Sequence, residues 1–427
     1  MHINEIEDVI FKIEKENEVA LGNYKEWALI RNRLYMNLLK PLDLGIKTKK
    51  ERILSTFFFQ NLFYGLRKWF KRYDVLVFTH NENRRLVEEK YFDRVLDGLI
   101  DKAERKSTLF ITLTDKSFIK QKELYSANVV SQLILDIFAY ILFIVSPKRT
   151  NRGTEIQEIV KKYGITIDQQ KELRLFKAYY RFYKLFLKVY RPKKIFVSTY
   201  YSATRNYMIK AANDLGIPTI EGQHGYIGNA HPSYNCDIAL DTSYIPSQLW
   251  VFSEFDKNVL ERRGVYTQDQ IKVKGNAYLD YIKSEGKKQK PEIIERIAKY
   301  KKVVGVSLQI PMEGQLIPFV IEAANLDPSI LYILIPRKWN ERYEEIDLPA
   351  NVVFSKKNGF YDVVVWCTHH STVFSSTAFE ANYFGIPNIL IDIDGLATRY
   401  FGVFFEKQNI VNDKREFINL ILPHNKS

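Results

Sequence analysis

The chain of 427 residues carries 63 Lys and Arg against 50 Asp and Glu, which gives a formal net charge of +13 at pH 7. Its hydrophobic content of 46% and charged content of 26% are typical of a globular protein and exclude a disordered one. The length predicts two to three domains, and the charge predicts an anionic partner such as a phosphorylated substrate or a lipid surface. No nucleic-acid-binding motif accompanies the charge, so nucleic acid is not an expected partner.

The cysteines and the amino terminus indicate the compartment. Cys236 and Cys367 lie in unrelated contexts, which predicts a reducing compartment without a disulfide framework. The first residues are acidic and lack an apolar core, so no signal peptide is predicted. The composition therefore predicts a cytoplasmic protein.

The first half of the chain alternates between predicted helices and strands. Residues 1–50 have helical spacing, Arg84–Ala103 carries a helical pattern, and residues 116–190 contain no clear strand and predict a helical insertion. A further helix is predicted at Ala203–Leu215. The predicted strands are Tyr73–Thr79, Thr108–Leu113, Lys194–Thr199, Ile217–Glu221, Leu249–Ser253 and Ile271–Lys274.

The second half follows a charged, breaker-rich linker at Lys283–Pro291. Its predicted helices are Glu313–Ala324, Thr377–Phe384 and Glu416–Ile421. Its predicted strands are Val303–Leu308, Ile330–Ile335, Asn351–Phe354, Val363–Cys367 and Asn388–Ile393. This alternation predicts two doubly wound, Rossmann-like α/β domains, residues 1–285 and 286–427, facing each other across a cleft.

The stretch from Val363 to Asp392 contains the strongest motif. An apolar strand is followed by a hydroxyl-rich loop and then by a helix, and a helix start at the end of a strand favours a phosphate. The candidate donors around this phosphate are His370, Ser371, Ser375, Ser376 and Thr377. An alternative is that Ser375 or Ser376 only caps an ordinary helix.

Glu380 lies about one helical turn beyond these donors, where a carboxylate can accept hydrogen bonds from a ribose diol. The residues Ser375-Ser376-Thr377-Ala378-Phe379-Glu380-Ala381, followed by Gly385-Ile386-Pro387, resemble the donor-site signature of GT-B glycosyltransferases. The Ser-Ser-Thr is also similar to the serine motif of bacterial sialyltransferases and Kdo transferases. The resemblance implies a GT-B fold and a nucleotide-sugar donor.

Other residues complete the predicted donor site and the cleft. The resemblance nominates Ser307 and Gln309, which follow the first strand of the second domain, as contacts of the donor phosphates. Arg337 stands where the sialyltransferase-like families place a His-Pro motif. Arginine can bind phosphate, but this departure from the motif weakens the assignment of a CMP-linked donor. The alternative is a solvated Arg-Lys pair. Asn276 is predicted to line the cleft at a hinge, with a plain turn as the alternative.

A dense polar loop follows a strand in the first domain. It contains Gln223-His224-Gly225 and His231-Pro232-Ser233-Tyr234-Asn235, which resemble a motif of bacterial polysaccharide glycosyltransferases. We predict His224 as the catalytic base, Glu221 as the second candidate base, and Gln223 and His231 as acceptor contacts. The alternative for each histidine is a bond to loop carbonyls.

Metal binding is not expected. Asp392-Ile393-Asp394 matches the Asp-x-Asp of the GT-A fold, but it closes a strand after the nucleotide-binding stretch, and adjacent histidines rarely bind one ion. We predict no metal and no cofactor besides the nucleotide sugar.

These features predict a glycosyltransferase that moves a sugar from a nucleotide sugar to a glycan or polyprenyl-linked acceptor. The resemblance places it in bacterial surface polysaccharide synthesis, of capsule or lipopolysaccharide. The alternatives are a nucleotide-sugar 2-epimerase and a teichoic-acid-type polyol-phosphate transferase.

A basic, aromatic helix at Lys171–Lys194 indicates where the protein works. Its rings fall on one face and its cations on the other, and Ile53–Tyr73 repeats this chemistry. We predict a peripheral protein on the anionic inner face of the plasma membrane, with a core helix as the alternative. A spanning helix at Val129–Val145 is disfavoured by its length and by Asp136.

Overall fold

The computed structural model describes residues 3–39, 57–113, 119–147, 154–202, 204–228, 230–260, 265–285, 287 and 290–422, without the side chains of residues 57–59. The chain forms two compact units, of which the first ends at Ala277 and the second begins at Tyr278. The predicted boundary, between residues 285 and 286, lies further along, after a helix that spans Ala277–Glu285.

The first unit contains a parallel sheet. Its strands in chain order are β1 (Val75–His80), β2 (Arg84–Val87), β3 (Lys90–Asp93), β4 (Thr108–Leu113), β5 (Val129–Ser131), β6 (Lys194–Val197), β7 (Thr219–Gly222), β8 (Gln248–Val251) and β9 (Ile271–Val273). The sheet has the order β5-β4-β1-β6-β7-β8-β9, while β2 and β3 pair as a separate antiparallel hairpin. The central strand β1 is buried from Val75 to Thr79, as expected for a parallel strand covered on both faces.

The first unit also contains α-helices. They are α1 (Ile3–Glu16), α2 (Glu18–Gly22), α3 (Trp27–Leu39), α4 (Phe57–Leu62), α5 (Leu133–Val145), α6 (Glu155–Lys161), α7 (Gln169–Tyr190), α8 (Arg205–Asn213) and α9 (Glu254–Val259). Leu76 and Phe78 of β1 pack in one core with Tyr183 of α7, whereas Val75 and Val77 pack in another.

Two predictions for this unit are wrong. Arg84–Ala103 is not helical, because it forms the β2–β3 hairpin and the turn that follows, where the Asp93 carboxylate accepts hydrogen bonds from Val95 N and Leu96 N at 3.0 Å. The predicted helical insertion contains a strand, since β5 pairs with β4 at the sheet edge. Its first residues, 116–118, lie outside the described part of the chain.

The second unit is a smaller parallel sheet. Its strands are β10 (Lys302–Ser307), β11 (Ile330–Ile335), β12 (Val352–Phe354), β13 (His369–Thr372), β14 (Asn388–Ile391) and β15 (Ile410–Val411), in the order β12-β11-β10-β13-β14-β15. Its helices are α10 (Ala277–Glu285), α11 (Ile294–Ile297), α12 (Glu313–Leu326), α13 (Phe360–Val364), α14 (Thr377–Tyr383), α15 (Leu396–Phe401) and α16 (Lys414–Ile421).

The predicted strand Val363–Cys367 is wrong. The apolar residues of this run end α13 and the turn after it, and they pack in the core beside β10 and β11. The side chain of Cys367 lies so close to Gly305 that a Cβ there would stand 2.9 Å from its Sγ. The strand is the polar run His369–Thr372, which pairs with β10 and β14.

The fold class is confirmed as two doubly wound α/β units with parallel sheets. The cleft between the units stays a prediction. Within the described ranges, no helix is both long enough and apolar enough to span a membrane.

Candidate functional site

The sheet of the second unit reverses its strand order between β10 and β13. From β10 the chain runs outward through β11 and β12, and it then returns to β13 on the opposite side of β10. Ligands of open parallel sheets bind in the crevice beyond such a reversal. The predicted donor residues follow these two strands: Ser307 and Gln309 at the end of β10, and Ser375 and Ser376 after β13.

Hydrogen bonds join the two loops at this reversal. The side-chain oxygen of Gln309 accepts a bond from Phe374 N at 2.9 Å, and the Thr372 hydroxyl donates to the Ser307 carbonyl at 3.0 Å. No hydrogen bond of the Gln309 amide nitrogen is found in the described part of the chain. The Gln309 side chain is therefore fixed through its oxygen, and its nitrogen can donate to a ligand.

His370 lies beneath this crevice and is fully buried. Its Nε2 is 2.8 Å from Ser307 Oγ and its Nδ1 is 2.6 Å from Asn388 Oδ1. Burial lowers the pKa of His370 to about 4, against the opposing effect of Asn388, so the ring is neutral at pH 7. Both ring nitrogens are bonded within the protein, so we assign His370 the positioning of Ser307 instead of the predicted contact with the donor.

The residues before α14 do not form an ordinary helix cap. Ser376 occupies the N-cap position without a side-chain capping hydrogen bond, and Ser375 Oγ accepts from Thr377 N only at 3.4 Å. Both serines are partly exposed, whereas Ser371 is fully buried within β13. Glu380 lies in the first turn of α14 with 7% of its surface exposed. The partly exposed hydroxyls are thus available to a ligand.

Arg337 is exposed just beyond β11, which neighbours β10. It therefore lies at the same edge of the sheet as Ser307 and Gln309. Arginine at this edge can bind an anion bidentately.

The first unit has its own reversal of strand order, between β1 and β6. A buried arginine that the sequence analysis missed lies there: Arg205 donates to Ser198 Oγ at 3.1 Å and to the Thr79 carbonyl at 2.9 Å. Burial lowers the pKa of Arg205 to about 10, so it stays charged at pH 7. Its position in the first turn of a helix soon after a strand was the available sign.

Glu221 is enclosed by hydrogen-bond donors. Its Oε1 accepts from Tyr200 N at 3.1 Å and from the Tyr234 hydroxyl at 2.9 Å, and its Oε2 accepts from the Tyr266 hydroxyl at 3.1 Å. Burial raises the pKa of Glu221 to about 7, although these hydrogen bonds oppose the shift. Because none of its surface is exposed, Glu221 organises the surrounding tyrosines, and this geometry does not favour it as a base.

His224 is partly exposed and only half satisfied. Its Nε2 lies 3.2 Å from the Tyr201 hydroxyl, while its Nδ1 has no hydrogen-bond partner among the described residues. Burial, with the charges of Arg94 and Arg205, lowers the pKa of His224 to about 3. The ring is therefore neutral at pH 7, and its Nδ1, which is itself buried, has unused hydrogen-bonding capacity.

His231 belongs to an aromatic cluster. Its ring lies 5.6 Å from Tyr35, 5.2 Å from Tyr201 and 5.0 Å from Tyr234 between centroids, and its Nδ1 accepts from Ser233 N at 3.2 Å. This hydrogen bond comes from a backbone N–H of the loop, so it differs from the bond to loop carbonyls stated above as the alternative.

Gln223 and Asn276 are buried, with 2% and 6% of their surfaces exposed. The Gln223 nitrogen donates to Asp256 Oδ1 at 2.8 Å, and its oxygen accepts from Phe252 N at 2.9 Å. These bonds give Gln223 a role in closing the loop rather than the predicted contact with an acceptor.

A buried ion pair from the amino-terminal helices anchors the loop that carries His231. Arg31 Nε bonds Glu14 Oε1 at 2.6 Å, and Arg31 also donates to the carbonyls of Pro232 and Asn235, the latter at 3.0 Å. Both side chains are essentially unexposed. This pair was not predicted from the sequence, in which the available sign was a charged residue among apolar ones on each helix.

Asp392 has a structural partner. Its carboxylate accepts from Thr398 N at 3.1 Å and from the Thr398 hydroxyl at 2.6 Å, which fixes the start of α15. A surface cavity of about 630 Å³ lies beside these residues, at the ends of β14 and β15. Across the described ranges, no group of three or more His, Cys, Asp and Glu side chains is placed to hold a metal ion.

No protein-family model matches the chain, and a search of curated proteins finds no match. Among solved structures, it is similar to the UDP-GlcNAc 2-epimerase from Neisseria meningitidis bound to UDP-GlcNAc, at 12% identity and a TM-score of 0.46 over 82% of this chain and 91% of that chain. The UDP-GlcNAc 2-epimerase from Methanocaldococcus jannaschii gives 12% identity and a TM-score of 0.47 over 83% of this chain and 94% of that chain. The calicheamicin glycosyltransferase CalG4 gives 13% identity and a TM-score of 0.42 over 77% of this chain and 82% of that chain. At these TM-scores the similarities carry no argument about function, and the architecture rests on the strand order of each unit.

Proposed function

We propose that the chain is an enzyme that binds a nucleotide sugar at the crevice between the ends of β10 and β13. The observation that carries this proposal is the convergence of two polar loops at the reversal of strand order in the second unit. A crevice of this kind offers backbone and side-chain donors to a diphosphate without a metal.

Each candidate contact has a distinct task. The Gln309 amide nitrogen and the hydroxyls of Ser375 and Ser376 donate to the diphosphate, and Arg337 neutralises charge as the nucleotide departs. Glu380 accepts from the ribose diol. His370 reaches no ligand atom and instead holds Ser307 in place through the 2.8 Å contact.

For the reaction, we propose transfer of the sugar to a glycan or polyprenyl-linked acceptor. His224 supports this choice, because its imidazole is neutral and its buried Nδ1 has no partner among the described residues; we assign an acceptor hydroxyl as that partner. The finer assignment, to capsule or lipopolysaccharide synthesis, rests on the sequence resemblance alone.

Nucleotide-sugar 2-epimerisation is the second candidate. The aromatic face of α7, which was predicted above to contact a membrane, is packed in the core of the first unit and so gives no argument for a membrane-bound acceptor. UDP-GlcNAc serves as the substrate with which this reaction is assayed. An epimerase needs no second substrate, which separates the two reactions experimentally.

Incubation of the protein with a panel of nucleotide sugars tests the proposal. Release of free nucleotide that depends on an added acceptor indicates transfer, whereas interconversion of UDP-GlcNAc and its 2-epimer without nucleotide release indicates epimerisation. A Gln309→Ala variant is expected to lose activity, and Gln315→Ala, on the nearby helix α12, serves as the matched control. The proposal fails if no nucleotide sugar is consumed or if Gln309→Ala retains full activity.

A further inference from the structure

Helix α5 presents large apolar side chains to solvent. Of its thirteen residues only Leu135 and Ala139 are buried. Phe138, Ile141 and Val145 are 55%, 49% and 71% exposed. These three share one face, because they follow one another at helical spacing. A soluble surface rarely exposes so continuous an apolar stripe without a partner.

The stripe continues onto neighbouring elements. Leu185 and Val189 of α7 are 64% and 65% exposed, and Phe70, in the short helical turn Leu66–Phe70, is 83% exposed. A row of packed rings joins the three elements: centroids lie 6.1 Å apart for Trp69–Phe186, 6.3 Å for Phe186–Phe182 and 6.3 Å for Phe182–Phe138. The apolar residues therefore belong to one surface, called the α5 face below.

Cations surround the α5 face, and the acids on the same elements are engaged. Arg67, Lys71, Lys177, Arg181 and Lys188 are all exposed. Glu172 bonds Arg33 at 3.0 Å, and Asp136 accepts from Gln132 at 3.3 Å. The net field of this surface is therefore positive.

We propose that the α5 face docks on an anionic phospholipid bilayer. Its aliphatic and aromatic side chains enter the interfacial region, while the surrounding Lys and Arg side chains contact headgroup phosphates. A second copy of the chain is a poorer occupant, because a two-fold contact would bring the same cations against one another. This inference is independent of the reaction proposed above.

The α5 face differs from the membrane surface predicted from sequence. The rings of Tyr179 and Tyr183 in α7 are buried, and those of Phe176, Phe186 and Tyr190 pack against the same core. They cannot enter a bilayer. The other predicted element, Ile53–Tyr73, lies partly outside the described residues, as do the side chains of Phe57, Phe58 and Phe59.

Flotation of the intact protein with vesicles tests the docking. Binding to phosphatidylcholine vesicles that contain phosphatidylglycerol is expected at low salt, with little binding to phosphatidylcholine alone and a decrease as salt rises. The double variant Ile141→Glu/Val145→Glu is expected to bind at least about a hundredfold more weakly, because both side chains lose apolar burial. Leu326→Glu/Val403→Glu is the matched control at exposed apolar positions of the second unit.

A double charge-reversal variant distinguishes docking on anionic lipid from nonspecific adsorption. Arg181→Glu/Lys188→Glu is expected to weaken anionic-vesicle binding by at least about thirtyfold, since each cation near the surface contributes to attraction. Lys299→Glu/Lys301→Glu, exposed in the second unit, should bind like the wild type. The proposal is overturned if the wild type ignores anionic vesicles at low salt, or if the α5 and control variants bind equally. It is also overturned if sedimentation shows self-association that only Ile141→Glu/Val145→Glu abolishes, without vesicle binding.

Discussion

His370 in the second unit and His224 in the first unit lie at or just beyond parallel strands, and both are neutral at pH 7. They differ in their neighbours. His370 is fully buried with both ring nitrogens bonded, whereas His224 is partly exposed and its Nδ1 has no partner in the part of the chain that the structure describes. A lowered pKa alone therefore does not mark a reacting group, because burial lowers it in both cases. The unused hydrogen-bonding capacity distinguishes the chemical candidate from the structural one.

The largest difference between the two histidines is expected when each ring is removed. His224→Ala is expected to lower kcat by about 10²–10⁴ with little change in stability, because it deletes a contact to the reacting hydroxyl. His370→Ala is expected to lower the free energy of unfolding by about 1–3 kcal/mol, because Ser307 and Asn388 lose a buried partner. Activity assays and urea unfolding of both variants measure this contrast. If His224→Ala turns over normally, the comparison is wrong.

The lowered pKa of His224 also predicts how the activity responds to pH. Because the pKa of His224 is lowered to about 3, the neutral ring persists throughout the neutral range. No loss of activity from this group is expected between about pH 5 and 8. A limb of the wild-type kcat profile near pH 6.5 that disappears in a weakly active His224→Gln variant would contradict this.

The buried pair Arg31–Glu14 tests how strongly the loop of the first unit is anchored. Glu14→Gln leaves the Arg31 charge buried without its counter-ion, so a loss of about 3–5 kcal/mol in unfolding free energy is expected. The matched control is Glu16→Gln, whose exposed 3.9 Å pair with Lys12 should contribute less than about 1 kcal/mol. Equal effects of the two variants on urea unfolding would show that the pair does not anchor the loop.

Glu221 makes the stability of the first unit depend on pH. Its pKa is raised from 4.5 to about 7 on folding, so between these values the folded protein retains a proton that the unfolded chain releases. Stability from this group is therefore full below about pH 4.5 and falls as pH rises to 7, by about 3 kcal/mol. Glu221→Gln cannot titrate and is expected to flatten this slope in urea unfolding from pH 5 to 8. An unchanged slope would mean that Glu221 is not protonated in the folded state.

The sequence predicted the sheets well because their strands are apolar and β-branched. Thr108–Leu113 and Ile330–Ile335 have the predicted bounds, since the first is buried as far as Thr112 and the second is buried throughout. The pattern failed at Val363–Cys367, where an apolar run covers the sheet and the polar run His369–Thr372 enters it. In a short segment, hydrophobic periodicity alone cannot distinguish a helix that covers the sheet from a strand within it.

Site residues were predictable by type and position but not by their partners. The loops after β7, β10 and β13 could be identified because polar residues follow apolar strands. The buried neighbours could not, because Arg31 contacts the carbonyls of Pro232 and Asn235 from about 200 residues earlier in the chain. Likewise, the enclosure of Glu221 depends on tyrosines from three separate segments.

Calorimetric titration of the intact protein with UDP, GDP and CMP tests the central claim, a nucleotide site at the crevice of the second unit, most directly. We expect one of the three to bind, and we expect Glu380→Ala to weaken it by about 1–3 kcal/mol through loss of the ribose acceptor. Glu322→Ala, at an exposed position on α12 of the same unit, should bind like the wild type. Absence of binding by all three nucleotides, or unchanged affinity in Glu380→Ala, would contradict the account.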